Sequence, residues 1–286
     1  MAHSFQHIIV PVDLTINTEV AIRKAIELSD TGTTIHLLHV QQYKGALLSL
    51  RAYAHLMKSD HATSADRIHE KLLQWKEAIL EEWTHLSVCI WIRPEADVQR
   101  AIENLSLRLQ ADMIVIGKNS HHSWMPFLNT VIPSRMVRKT GIPVLTVKPG
   151  AFHHKTRTVV IPISSSATRH KMEAMVTLCK KFQVTVHLVT FMNEDNKPLD
   201  FQASALLQMF QWLQTSLHCP VEYAVLHGSN KARAILKYAY KIHADLLLVH
   251  PETETRVDWM HRHISDLLPP TSKVQVLAIQ PASSLN

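Results

Sequence analysis

The sequence predicts an α/β protein made of two tandem domains, each a parallel sheet with helices on both faces. Three observations predict it. The chain has 286 residues, enough for two domains that each bury a core. Short apolar runs rich in Val, Ile and Leu alternate with amphipathic helical patterns, which implies parallel strands joined by right-handed crossovers. The chain also repeats itself. HIIVPVDLT at 7–15 answers TVVIPISSS at 158–166, and TIHLLHV at 34–40 answers TVHLVTF at 185–191, both at an offset of 151. ADMIVIG at 111–117 answers ADLLLVH at 244–250, and PVLTVKP at 143–149 answers QVLAIQP at 275–281, at offsets of 133 and 132.

In the first half, strands are expected near 7–13, 33–40, 86–92, 111–117 and 142–148. Between them lie TEVAIRKAIELS with Thr18 as its N-cap, HEKLLQWKEAILEEW with Leu72, Leu73, Ile79 and Leu80 on one broad face, and ADVQRAIENLSLRL. The second half follows with strands near 158–163, 184–191, 221–226, 244–250 and 274–280. The segment KPGAFHHKT at 148–156 carries the Pro-Gly signal of a linker, so the domains are expected at 1–149 and 156–286. The offset falls by 18 between the second strand and the middle of the repeat, which places an insertion at 41–61 of the first half. Leu47, Leu48, Leu50, Tyr53 and Leu56 have helical spacing there; a lid and a dimerisation element both fit.

Composition narrows the function. Hydrophobic residues make up 46% and charged residues 19%, with 6 Gly, as in a soluble globular protein. No apolar run is long enough to span a membrane and no secretion signal opens the chain, so a cytoplasmic protein is expected. Cys89, Cys179 and Cys219 form no C-x-x-C pair and read as buried small apolar residues. The net charge of +6 divides as +2 over 1–149 (16 basic, 14 acidic) and +4 over the rest (14 basic, 10 acidic), with no long basic run. Nucleic acid is therefore not an expected partner. The 20 histidines include His121-His122, His153-His154, His261 and His263, but none has the spacing of a metal ligand pair, and they read as exposed loop residues. ISSSATRH at 163–170 lacks the G-x-S-x-G nucleophile elbow and reads as a strand end followed by a helix cap. The apolar cluster Trp124-Met125-Pro126-Phe127 sits on a loop and either packs back over the crevice at the strand ends or meets another subunit, packing being the preferred reading.

IIVPVD opening a domain, IHLLHV and ADMIVIG within it, and SRMVRKTGIPVLTVKPG closing it together resemble the universal stress protein family. The second copy, from VVIPIS to VLAIQP, resembles it less closely. The resemblance implies an adenine nucleotide alpha hydrolase-like α/β sandwich with strand order 3-2-1-4-5, its two copies paired as a pseudo-dimer. In nucleotide-binding members an Asp ends the first strand, a Val ends the second, and phosphates lie against G-x2-G-x9-G-[S/T] after the fourth. In that order, strands 1 and 4 flank the topological switch point, where a crevice opens.

Carried over residue by residue, Asp13 fits the adenosine Asp, Val40 the Val and Gly117 the first glycine. Ser120, Thr130 and Val131 stand at the second glycine, the third glycine and the Ser/Thr. These changes remove backbone freedom and a hydroxyl ligand. Lys118, His121 and His122 could supply donors instead, and Thr130 could cap the following helix, whose N-terminus favours an anion. In the second half Ser164 replaces Asp13, Phe191 stands for Val40 and His250 for Gly117; Pro251, Glu252, Glu254 and Asp258 follow, which disfavours ATP. The leading expectation is a non-enzymatic, universal-stress-type stress-response protein. Its site comprises Asp13, Val40, Gly117, Lys118, Ser120 and Thr130, for an adenine nucleotide (ATP with Mg) or another small ligand. Its halves pair within the chain, and a homodimer of chains is compatible with that. A slow ATPase or nucleotide-dependent signalling protein, and a structural interaction module without nucleotide, are the alternatives.

Overall fold

The structure, a computed structural model, describes residues 5–41, 61–118, 131–163, 168–191, 200–217, 219–228, 230–250 and 264–280. The strands are β1 His7–Pro11, β2 Thr34–Gln41, β3 Ser87–Pro94, β4 Met113–Gly117 and β5 Val144–Val147, then β6 Thr158–Pro162, β7 Thr185–Phe191, β8 Val221–Leu226, β9 Leu246–Val249 and β10 Gln275–Ala278. The helices are α1 Ile16–Leu28, α2 His61–Glu82, α3 Val98–Arg108, α4 Pro133–Thr140, α5 Thr168–Lys181, α6 Asp200–Trp212, α7 Lys231–Lys241 and α8 Ile264–Leu267.

All ten strands form one sheet in the order β3-β2-β1-β4-β5-β10-β9-β6-β7-β8. Each half therefore has the order 3-2-1-4-5, as expected, and the two halves meet edge to edge. Pairing is parallel within each half and antiparallel at the junction, where Val144, Leu145 and Thr146 stand opposite Ala278, Leu277 and Val276. Joining the two β5-type edges hides both from foreign strands, which is the usual hazard of an open sheet edge. The central strands are buried on both faces, which is why they read as unbroken apolar runs.

The core is not the same on the two faces. One face carries a single apolar cluster that runs from Ile8, Val20 and Leu72 through Leu145 and Leu277 to Ile161, Met175 and Leu213. The other face has two separate clusters, one around Ile102, Ile114 and Met136 and one around Ile235, Leu247 and Ile264. The first face thus welds the halves together. Polar ties reinforce it: Lys24 is buried, with Nζ 2.8 Å from Glu27 Oε2 and donating at 2.5 Å to the His154 carbonyl. Lys181 Nζ reaches across to Asp30 Oδ1 at 2.7 Å and to the Ser29 carbonyl.

Polar details repeat between the halves with the same offset as the sequence. Asp112 Oδ2 accepts from the backbone N–H groups of Gln6 (2.7 Å) and His7 (2.8 Å), and Asp245 Oδ2 accepts from those of Arg157 (2.9 Å) and Thr158 (3.0 Å). Each carboxylate ties the start of its strand 4 to the start of its strand 1. Asp97 caps α3 and Asn230 caps α7, by accepting from Arg100 N and Arg233 N. Because a carboxylate that holds two backbone donors makes charge-assisted bonds, Asp245→Ala is expected to lower unfolding free energy by about 2–3 kcal/mol. Urea denaturation of the variant against the wild type measures it; a change within experimental error would show that water replaces the carboxylate without loss.

Four local expectations are corrected. The N-cap of α1 is Thr15, whose side chain accepts from Asn17 N, while Thr18 is buried one turn inside the helix. Helix α2 starts at His61, and its buried face is Leu72 and Ile79 with Trp75 and Leu80 beside them; Leu73 points outward, 36% exposed. The N-cap of α4 is Ile132, not Thr130. The three cysteines are partly rather than fully buried. Residues 42–60 of the insertion expected at 41–61, His121-His122, the Trp124–Phe127 cluster, Ser164, Pro251 to Asp258, His261 and His263 lie outside the described residues, while Gln41 ends β2 and His61 begins α2. His153 and His154 are exposed.

Candidate functional site at the ends of β1, β2 and β4

In a 3-2-1-4-5 sheet the chain leaves β1 and β4 in opposite directions, so their C-terminal ends open the crevice in which α/β proteins bind ligands. Asp13 stands two residues beyond β1, Val40 one residue before the end of β2, and Gly117 at the end of β4. Strand β1 lies between the other two. Three residues up to 104 positions apart in sequence are thus brought to one end of three adjacent strands.

Asp13 is held in a closed local loop. Its Oδ1 accepts from Thr15 N (3.1 Å), Thr15 Oγ1 (2.6 Å) and Thr18 Oγ1 (2.8 Å), while its own N–H donates to Thr18 Oγ1 at 2.9 Å. This is a side-chain-to-backbone turn of the kind Asp and Thr favour at a helix entrance. Leu14, within it, has φ of 61°, a left-handed conformation rarely used by a branched apolar residue. The second carboxylate oxygen, Oδ2, is buried and has no hydrogen-bond partner among the described residues, and the same holds for Asn17 Oδ1. Leaving such acceptors unpaired costs about 1–3 kcal/mol each, which makes them the groups a ligand donor would satisfy.

Gly117 is where α1 and β4 touch. A Cβ placed on it would lie 1.9 Å from the Asn17 carbonyl oxygen and 2.5 Å from its carbon. Helix α1 packs closely enough on β4 that only a glycine fits. Lys118, the next residue, is buried, and its Nζ donates to the Val131 carbonyl at 3.2 Å. Val131 is itself buried, as is Val40, which faces the cluster beneath α3. Ser120 and Thr130 lie outside the described residues.

The N-terminus of α4 offers an anion less than the sequence suggests. Pro133 occupies its first turn and has no N–H. The Ile132 N–H is already donated to Gln99 Oε1 at 3.1 Å. Gln99 Nε2 in turn donates to Glu103 Oε1 at 2.7 Å, and Glu103 Oε2 pairs with Lys139 Nζ at 2.5 Å. This chain pins α4 to α3 and places a buried carboxylate behind the position where phosphates were expected. Asn17 and the Gln99–Glu103 pair were missed from sequence; Asn17 carries a signal in the T-x-N-T entrance to α1, whereas Gln99 and Glu103 look like ordinary polar helix positions.

The equivalent crevice of the second half is filled differently. His250, at the place of Gly117, is buried with Nδ1 2.8 Å from the Ile279 carbonyl. Phe191, at the place of Val40, is buried under the Lys231 ammonium, 5.5 Å from the ring centre. Among the described residues no group of His, Cys, Asp or Glu has the arrangement of a metal site.

With this geometry in place, the comparisons define the class. Residues 4–148, just over half of the chain, match the universal stress protein family model, and the chain belongs to that family. A comparison with curated proteins finds no match. Among solved structures, a universal stress protein from Archaeoglobus fulgidus DSM 4304 superposes with a TM-score of 0.66 at 15% identity, over 97% of this chain and 97% of that one. A protein from Pseudomonas aeruginosa UCBPP-PA14, provisionally described as a universal stress protein, gives 0.57 at 14% identity over 97% and 94%. The cytoplasmic domain of a prokaryotic cation chloride cotransporter gives 0.52 at 11% identity over 99% and 98%. At these identities the likeness shows a shared fold. Among the described residues no helix is long and apolar enough to cross a membrane.

Proposed function

We propose that this chain is a tandem universal-stress-type protein, its domains dividing at 1–149 and 156–286, whose first half binds an adenine nucleotide without turning it over. The observation that carries the reading is the state of Asp13: one oxygen is fixed by Thr15 and Thr18, and the other is buried, charged and without a partner among the described residues. A preorganised carboxylate of this kind suits an amine or hydroxyl donor of an adenosine. Val40 supplies the apolar wall and Gly117 the close backbone. Ser120, Thr130 and Lys118 are the residues assigned to the phosphate side in this reading, the Lys118 ammonium already bonded to the Val131 carbonyl, and Mg accompanies ATP. The occupied Ile132 N–H and the Pro133 start of α4 make phosphate contacts a small part of the affinity. The second half, with His250 and Phe191 filling the equivalent positions, acts as a structural partner.

Isothermal calorimetry with ATP and Mg²⁺, AMP and adenosine tests the proposal. All three are expected to bind with affinities within about tenfold of one another, a spread of about 1.4 kcal/mol, because the adenosine end carries the energy. Asp13→Ala is expected to weaken each by tenfold or more, about the loss of one hydrogen bond to a charged group. Absence of ATP binding at millimolar concentration would refute the nucleotide site. Steady ADP production by the wild type, lost in Asp13→Ala, would refute the non-enzymatic reading.

A further inference from the structure

A cavity of about 280 Å³ lies in the second half, at the N-terminal ends of its strands and away from the crevice of β1 and β4 across the sheet. Its lining comes from three places: the linker after β5 (His154), the end of α7 (Tyr240 and His243), and the loop before β10 (Thr271, Ser272 and Lys273). We propose that it is a binding site for a small phosphorylated metabolite.

The lining is rich in donors and contains no acid. Lys273 brings an ammonium, His154 and His243 bring imidazoles, and Tyr240, Thr271 and Ser272 bring hydroxyls, while the rest of the wall is Ala239, Ala244, Pro269 and Val274. A phosphomonoester presents three acceptor oxygens and close to two negative charges, and so uses more of these donors than a carboxylate could. The carbonyls at the end of α7 do not oppose it. Those of Tyr238, Ala239 and Tyr240 accept from Ile242, Ala244 and His243. The volume is at the small end for ligand sites, which fits a metabolite smaller than a nucleotide.

The internal repeat shows that the fold does not demand these residues. Three structural correspondences fix the register. His243 and Gln110 both take a left-handed backbone after their helix, with φ of 53° and 50°. Their N–H groups bond the carbonyls of Tyr240 and Leu107, both at 3.2 Å. Ser272 Oγ accepts from Val274 N and Thr140 Oγ1 from Ile142 N, both at 3.1 Å. In the first half, therefore, the places of Tyr240, His243 and Lys273 are held by Leu107, Gln110 and Gly141. At those three positions the first half has no imidazole and no cation, while Lys139 stands at the place of Thr271 and His3 at that of His154. Tyr240, His243 and Lys273 border one cavity in only one of two copies that share a scaffold, which is the pattern of a site added to a fold.

The linker is also held in place beside the cavity. Gly150 N donates to the Pro270 carbonyl at 2.8 Å, and a Cβ on Gly150 would come within 2.1 Å of the Thr271 carbonyl oxygen. The buried Lys24 ammonium fastens the His154 carbonyl. A wall contributed by the linker is thereby fixed against a wall contributed by the loop, which is what preorganisation of a small site requires.

Calorimetry of the whole chain with glycerol 3-phosphate, inorganic phosphate and glycerol tests the site. One equivalent of glycerol 3-phosphate is expected to bind saturably, phosphate more weakly and glycerol not at all. Lys273→Ala is expected to weaken glycerol 3-phosphate about tenfold, the effect of one lost charge-assisted hydrogen bond. The triple variant Tyr240→Leu, His243→Gln, Lys273→Gly, which installs the first half's residues, is expected to abolish binding while melting as the wild type does. Asp13→Ala separates this site from the crevice and is expected to leave glycerol 3-phosphate binding unchanged. No saturable binding at millimolar ligand, or equal affinity in Lys273→Ala, overturns the proposal; so does loss of binding in Asp13→Ala, which would place the anion in the crevice.

Discussion

Gly117→Ala is expected to destabilise the protein by about 3 kcal/mol and lower its melting temperature by roughly 6–12 °C, the range for a chain of this size. The added Cβ would sit 1.9 Å from the Asn17 carbonyl oxygen, and both nearest atoms belong to backbone, so no side chain can rotate away. Either β4 or the first turn of α1 must shift. A shift of α1 also moves Thr15 and Thr18, which hold the Asp13 carboxylate, so the proposed nucleotide site should weaken along with the fold. The family motif assigns this glycine to a phosphate, and a glycine kept for phosphate alone would lose nucleotide affinity without loss of stability. Thermal melting with and without ATP separates the two. Gly32→Ala is the control: its φ of 88° disfavours alanine, but nothing lies within 4 Å of the new methyl, so a loss of only about 1 kcal/mol is expected. Equal melting temperatures for wild type and Gly117→Ala would show that α1 is not packed as described.

Much of this structure was legible because the repeat supplied a second copy of every pattern. HIIVP and TVVIP, or ADMIVIG and ADLLLVH, are short apolar runs that a single occurrence leaves ambiguous between strand and buried helix. Their recurrence at fixed spacing, between amphipathic segments, removes the ambiguity. Asp13, Val40 and Gly117 could be placed together because each ends a strand, and strand ends meet wherever the strands are neighbours. What sequence reasoning missed depends on distances that periodicity does not encode. Thr18 looks like a cap because it precedes the apolar pattern, but Thr15 is nearer the turn, and the Asp13 carboxylate claims Thr18 from inside the helix. Leu73 follows Leu72 and seems to widen the apolar stripe, yet a rotation of about 100° per residue takes it off the buried face. Lys118 reads as a free cation beside an anion site, and it is buried with its ammonium on a carbonyl of the segment that follows. The Gln99–Glu103–Lys139 chain and the cavity near His243 join elements more than 25 residues apart, through side chains that fit many other surfaces equally well.

Stability is expected to fall as pH drops from about 6.5 towards 4, and His36 is expected to account for much of the fall. His36 is 3% exposed on β2, between two ring neighbours: Trp91 Nε1 donates to its Nδ1 at 3.1 Å, and its Nε2 lies 3.1 Å from His7 Nδ1. An indole N–H can only donate, so Nδ1 of His36 must be the unprotonated nitrogen and Nε2 must carry the proton. Adding a proton at Nδ1 would destroy the Trp91 bond and bury a cation. Burial, followed by repulsion from His7, pushes the His36 pKa down to about 4. Burial likewise lowers His39, against the opposing pull of the Val12 carbonyl and Asp13, and lowers His187, against Glu222. A histidine whose folded pKa lies below its unfolded value binds more protons when unfolded. Its contribution is therefore complete above pH 6.5 and disappears as pH falls through the folded value. For His36 alone the loss is about 2 kcal/mol at pH 5 and about 3 kcal/mol at pH 4. Urea denaturation at pH 7.5, 6.5, 5.5 and 5.0 measures the slope above the main carboxylate range. His36→Gln can still accept from Trp91 and donate to His7, and it does not titrate, so it should keep most of the stability at pH 7.5 and flatten the profile below 6.5. An unchanged slope in His36→Gln would move the acid sensitivity to His39 and His187. A wild type that gains stability on acidification would contradict the buried neutral state of all three.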